Sequence, residues 1–71
     1  MTGLRPVYVL SRGYLLDGEV QGAFTSLDLA QNMTGIGHHK WQQLETTMWF
    51  APIGDGNLCW SVREVELVDA G

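Results

Sequence analysis

Apolar residues along this chain first alternate, then step as on a helix, then alternate again. The change of period falls at Gly22-Ala23-Phe24-Thr25-Ser26-Leu27-Asp28-Leu29-Ala30. Upstream, Val7-Tyr8-Val9-Leu10 is β-branched and aromatic, the composition of a buried strand, and Pro6 excludes helix just before it. Ser11-Arg12-Gly13 interrupts the run, and Tyr14-Leu15-Leu16 resumes it up to Asp17-Gly18. Asp-Gly between apolar stretches signals a hairpin, because both central residues of a type I′ turn need positive φ. Such a turn sets Leu15 opposite Val20 and Gly13 opposite Gly22, and facing glycines leave a gap where a bulge or kink is expected. The second strand, Glu19 to Phe24, then carries Val20, Gly22 and Phe24 on one face and Glu19, Gln21 and Ala23 on the other.

Thr25 as N-cap places Asp28 at the third helical position, an acidic form of the capping box, and pairs Phe24 with Leu29 as a hydrophobic staple. The helix is expected from Ser26 to about Met33, with Leu27, Ala30 and Met33 or Thr34 on its buried side and Asp28, Gln31 and Asn32 largely on the other. Gly35 is placed to adopt the left-handed conformation behind it. A helix this short does not stand alone in water, so its apolar stripe must pack on a sheet.

Ile36 to Lys40 reads as a loop carrying Gly37 and His38-His39. From Trp41 to Ile53 the pattern is one strand, with Leu44, Thr46, Met48 and Phe50 alternating against Glu45, Thr47, Trp49 and Ala51. Pro52-Ile53-Gly54-Asp55-Gly56-Asn57 is dense turn chemistry. Two registers are open: a four-residue loop, Gly54 to Asn57, pairs Ala51 with Trp60, and a Gly54-Asp55 turn pairs Trp49 with Trp60. Leu58 to Val68 is the last strand. Leu58, Trp60 and Val62 share one parity and Val65 and Leu67 the other, so a bulge or break is expected near Arg63-Glu64. The sum is a single α+β domain over residues 1–71: a small antiparallel four-stranded sheet in the order β-β-α-β-β, with one short helix on one face and the other face left partly open. Most of the tryptophan surface is expected inside the core, and the alternative is an open face holding Trp49 or Trp60 that binds another protein.

Composition narrows the functions. The chain has 71 residues and one cysteine, Cys59, so no disulfide within the chain staples it, and stability must come from an apolar content of 45% or from association. No apolar run approaches the ~18 residues of a membrane span, and the start lacks a signal peptide's layout, so a cytoplasmic location is expected. The net charge is −4. Arg5, Arg12 and Lys40 balance Asp17, Glu19 and Asp28, whereas Glu45, Asp55, Glu64, Glu66 and Asp69 face Arg63 alone. Scattered cations do not make a phosphate-binding surface, so no nucleic acid is expected as a partner.

Val7-Tyr8-Val9-Leu10, Gly22-Ala23-Phe24-Thr25-Ser26, the Ala30 helix position and Val65-Glu66-Leu67 together resemble the small uncharacterised α+β proteins of bacteriophages and their bacterial hosts. Those open on a VYVL-like strand, turn a G-x-F-[ST]-S corner into an EEA helix and close on an EVEL-like strand. The likeness spans about half the chain. Here Asp28-Leu29-Ala30 stands where two acids would precede the alanine, the helix ends early, and the His38-His39 loop and Trp-rich second hairpin lie outside the pattern. The resemblance implies an accessory protein of phage type that binds a host or defence protein, and it transfers no catalytic residue.

Candidate chemistry is sparse. His38 and His39 are adjacent and so point apart on an extended chain, and with Cys59 they have none of the spacing of a closed zinc site. Gly54-Asp55-Gly56-Asn57 lacks the twelve-residue loop and terminal Glu of a calcium site. No catalytic group, metal or cofactor is expected, and the protein is read as no enzyme. The candidates for partner binding are Trp41, Trp49 and Trp60 as aromatic anchors, Glu45 and Glu64 with Glu66 as an acidic rim, and the neighbouring His38 and His39. The first expectation is a non-catalytic protein-binding module, in its concrete phage version an inhibitor of a host or defence enzyme. A second is an oligomeric small-ligand sponge or sensor with His38, His39 and Trp41 lining an intersubunit pocket; a third is a small metalloprotein. Unprotected sheet edges and few lysines also point to a homodimer.

Overall fold

The computed structural model describes residues 2–14, 17–54 and 56–70. Five strands, β1 (Thr2–Tyr14), β2 (Asp17–Phe24), β3 (Gln42–Glu45), β4 (Met48–Pro52) and β5 (Leu58–Ala70), join one helix, α1 (Leu27–Asn32), and a 3-10 turn at His38–Lys40. All pairings are antiparallel and the sheet order is β2-β1-β5-β4-β3, so the first and last strands lie side by side at its centre. The longest dimension, 47 Å, is set by β1 and β5, whose 13 residues each reach roughly 43 Å at ~3.3 Å per residue.

The sheet has five strands where four were expected, because Trp41 to Ile53 is itself a hairpin. The chain reverses at Thr46-Thr47, Gln43 Nε2 donates to the Thr46 carbonyl at 3.2 Å, and Leu44 is the extra residue between the Gln43–Trp49 and Glu45–Met48 pairs. No glycine, proline or asparagine marks this turn, so the alternation reads straight through it.

The first hairpin also turns elsewhere. Asp17 pairs with Tyr14 and Gly18 with Gly13, which puts Asp17-Gly18 inside β2. Leu15 lies outside the described residues, but Val20 faces Ser11 and Gly22 faces Leu10, not the partners expected. Gly18 acts as a close neighbour and not as a turn residue: Gly13 has φ +144°, and a methyl group on it would sit 2.9 Å from the Gly18 Cα. A bulge is present, at Gln21, between the Leu10–Gly22 and Ser11–Val20 pairs. In β5 the expected break at Arg63-Glu64 is absent. The β1–β5 register runs unbroken from Thr2–Ala70 to Tyr14–Leu58, and the apolar set changes face on a regular strand. At the second hairpin Ala51 pairs with Trp60 and Ile53 N donates to the Leu58 carbonyl at 2.9 Å, which selects the longer of the two loops.

The helix begins one residue later than expected. Ser26, with φ −144° and ψ 153°, is the N-cap, and its Oγ accepts from Leu29 N at 3.2 Å. Thr25 is exposed and the capping box and staple built on it do not form, since the third helical position is now Leu29, itself half-exposed. Starting at Leu27 rotates the buried stripe onto Ala30 and Gln31 and leaves Met33 exposed, so Gln31 is inside where it was expected outside. Gly35 takes φ +74° behind the helix as expected.

Candidate binding surfaces

Strand parity and register assign every residue of the central strands to one of two faces. Tyr8, Leu10 and Arg12 of β1 stand with Phe24 of β2, Trp60, Val62 and Glu64 of β5, and Trp49 and Ala51 of β4. This is the face α1 covers. Leu10, Ala30 and Val62 form its buried centre, and Tyr8, Phe24, Leu27, Trp41, Trp49 and Trp60 pack around them.

The three tryptophans therefore lie beside the helix, packed on the core as the internal reading has them, and not on the uncovered side. Each is half-buried. The Trp49 and Tyr8 rings tilt at 53° with centroids 6.3 Å apart, and the Arg12 guanidinium sits 5.6 Å from the Trp60 ring centre, within cation–π range. Trp41 Nε1 is enclosed without an acceptor among the described residues. Tyr8 also hydrogen-bonds Glu64. Partial burial first, and then that bond and the Glu64 charge, push the phenol above its ordinary value of 10.0.

His38 and His39 stand on the 3-10 turn, not on extended chain. His38 Nδ1 hydrogen-bonds Oε1 of buried Gln31 at 2.9 Å. Thr34 Oγ1 donates to the Gln31 carbonyl at 2.7 Å and accepts from Ile36 N, so His38 belongs to the network that fastens the end of α1. The His39 ring folds back over Gly37. Glu45 is exposed on β3, in register with Met48 and hence on the opposite side from Glu64. The structure gathers Trp41, Trp49 and Trp60 around one core and sets Glu64 at its margin; it does not bring Glu45 to them. Among the described residues no three His, Cys, Asp or Glu side chains are placed to hold one ion.

The second face carries Val7, Val9 and Ser11 of β1, Val20 of β2, Met48 and Phe50 of β4, and Cys59, Ser61, Arg63 and Val65 of β5. Among the described residues no helix lies over it. Side chains from β2, β1, β5 and β4 nevertheless line one hollow of about 270 Å³, bounded by Val9, Val20, Met48, Ser61, Arg63 and Val65. Four successive strands can share a hollow only if the sheet curves, and the Gln21 bulge supplies local twist. Curvature accounts for the burial of Met48 and Ser61 on a face with no covering layer. Cys59 is buried here as well, and that burial pushes its thiol up and keeps it from the reactive thiolate form. The hollow was missed in the sequence because its walls are small and β-branched, ordinary strand residues that become a site only through the bend.

Fold and surface together define a small α+β sheet domain, covered by a short helix on one face and bare and concave on the other. Among the described residues no helix is long and apolar enough to cross a membrane. Compared with protein-family models, curated proteins and solved structures, the chain finds no match.

Proposed function

We propose that this protein is a non-catalytic protein-binding module that docks its partner on the bare concave face of the sheet. The observation that carries the reading is the hollow itself: an apolar floor of Val9, Val20, Met48 and Val65 with Arg63 and Ser61 at hand, open to solvent, in which Val20 stands 66% exposed. Apolar centres with polar margins are the anatomy of protein interfaces. The tryptophans serve this reading as the packing that holds the sheet's shape from behind. The phage-type resemblance supplies the kind of partner, a host or defence protein whose action is blocked by occupancy.

Affinity capture from the native host with wild type and Val20→Asp tests the proposal. One or more proteins held by wild type should be lost with Val20→Asp, while circular dichroism shows the fold intact. Equal capture by both would overturn it.

A further inference from the structure

Beyond Met48 the sheet narrows to a ribbon of β1 and β5 alone. The last β4–β5 pair is Met48–Arg63, and Glu64 N donates to the Thr47 carbonyl at 2.8 Å. Leu58, at the other end of the strand, also turns its carbonyl toward β4's side, onto Ile53 N. On a strand with unbroken register the even-numbered residues of β5 therefore all direct N–H and C=O to that side. Past Glu64, the backbone groups of Glu66 and Val68 meet no strand among the described residues.

Every other free edge carries a feature that discourages pairing. β2 has the Gln21 bulge and two glycines, and β3 is four residues long with Leu44 bulged. On the ribbon's far side, Pro6 lies opposite Glu66. Even-numbered residues of β1 turn their backbone groups away from β5, so the missing N–H of Pro6 falls on the outer edge, where it costs no ladder bond and blocks an added strand. The β5 edge has no proline, no bulge and no lysine.

We infer that the β5 edge from Glu64 onward accepts an extended segment of the partner protein as a sixth antiparallel strand, one that alternates basic and apolar residues. The inference rests on the binding-module reading above and names the contact. Period 2 sets the chemistry: Glu64 and Glu66 share one face of the edge, and Val65 and Leu67 the other, with Leu67 56% exposed and Val65 continuing into the hollow. Lysines or arginines on one side of the incoming strand meet the two carboxylates, and aliphatic side chains on the other meet the two apolar residues. Main-chain bonds then provide affinity and the alternate side chains provide selectivity. A second copy of this chain fits worse. Antiparallel self-pairing centred on Leu67 sets the two Glu66 side chains diagonally across one face, between chains that each carry −4.

The probe is a capped eight-residue peptide of alternating Lys and Val, with the Glu-Val peptide as control, read by amide hydrogen exchange on isotope-labelled protein. At saturation the Glu66 and Val68 amides should exchange at least tenfold more slowly, while those of Val65 and Leu67, already turned toward β1, change little. Glu66→Pro deletes an outward N–H together with the carboxylate and should weaken binding tenfold or more; Glu66→Gln, which keeps the N–H and removes only the charge, should weaken it a few-fold. No slowing at Glu66 and Val68, equal binding by Glu66→Pro, or equal binding of the Glu-Val peptide overturns the inference. So does slowing of the same amides with protein concentration alone, which would make a second copy the occupant. If Val20→Asp abolishes capture of the native partner and Glu66→Pro does not, the concave face stands as the docking surface and the edge falls.

Discussion

The two faces of this sheet are buried by different means. On the helix side, large aromatic side chains surround Leu10, Ala30 and Val62, and a separate element closes the layer. On the bare side no described element closes it, and residues such as Met48, 4% exposed, are shielded by the bend of the sheet and by their neighbours on the same face. A layer sealed by another element is committed to holding the fold. A surface that shields itself by curvature keeps its apolar floor within reach of another molecule. The difference teaches that aromatic content was a poor guide to the exposed surface: the tryptophans went where volume was needed against a very short helix.

That comparison breaks most readily through stability. Leu10→Ala should cost about 3 kcal/mol, the usual range for emptying a buried leucine site, and a 71-residue domain has only a few to lose. Val20→Asp, on the bare face at 66% exposure, should shift stability by no more than about 0.5 kcal/mol. Urea unfolding of both variants checks the contrast. Similar losses at the two positions would mean the bare face is part of the stabilising core and not a free surface.

Next in size is the close approach at the first hairpin. A side chain at Gly13 must take φ +144° and press on the Gly18 Cα, so Gly13→Ala should cost about 2 kcal/mol and disturb the far wall of the hollow, which Gly18 helps to line. Gly35→Ala meets nothing within 4 Å and carries only the cost of φ +74°, roughly 1 kcal/mol. A smaller loss at Gly13 than at Gly35 would place the turn back at Asp17-Gly18.

What the sequence made legible follows from what periodicity can carry. The strand at Val7-Tyr8-Val9-Leu10, the corner near Thr25 and Ser26, and the left-handed Gly35 are local features written in local residues, and they stand. Parity within a strand was legible too: Leu58, Trp60 and Val62 do share one parity on a regular strand. Which face the helix would cover was not, because that depends on where the connection from β2 to β3 travels. Thr46-Thr47 hid a turn for want of a turn residue, and Asp17-Gly18 displayed one that the facing glycines overrode. The apparent phase slip in β5 was read as a backbone fault, yet it marks the place where β4 ends and the apolar partners of the strand change sides. The hollow and the bare β5 edge are products of curvature and of unequal strand lengths, for which residue spacing holds no sign.

The cap tests the helix side on a finer scale. Ser26→Ala removes the acceptor for Leu29 N and should cost about 1 kcal/mol, while Thr25→Ala should cost under about 0.5 kcal/mol, as its side chain is exposed and outside the cap. Thermal midpoints of the two variants decide it. The reverse order would return the helix start to Thr25 and Gln31 to the surface.

The smallest effect belongs to Tyr8, which stands where the covered face gives way to the ribbon. Its folded-state phenol titrates above the ordinary 10.0, through partial burial first and then through Glu64. Below about pH 10 the group is protonated in both folded and unfolded chains, and its contribution is present in full. As the pH rises past that value the unfolded chain releases the proton first, so the folded state binds more protons and stability falls until the folded value is passed. Other groups titrate in the same window, and Tyr8→Phe removes this one alone. The stability advantage of wild type over Tyr8→Phe should therefore shrink as the pH rises above about 10, measured by urea unfolding at each pH. In a Glu64→Gln background the shrinkage should be smaller but not absent, because burial, the larger cause, remains. A constant difference across that window would mean the Tyr8 ring is fully hydrated, and the aromatic cover of the helix side would then end at Trp49.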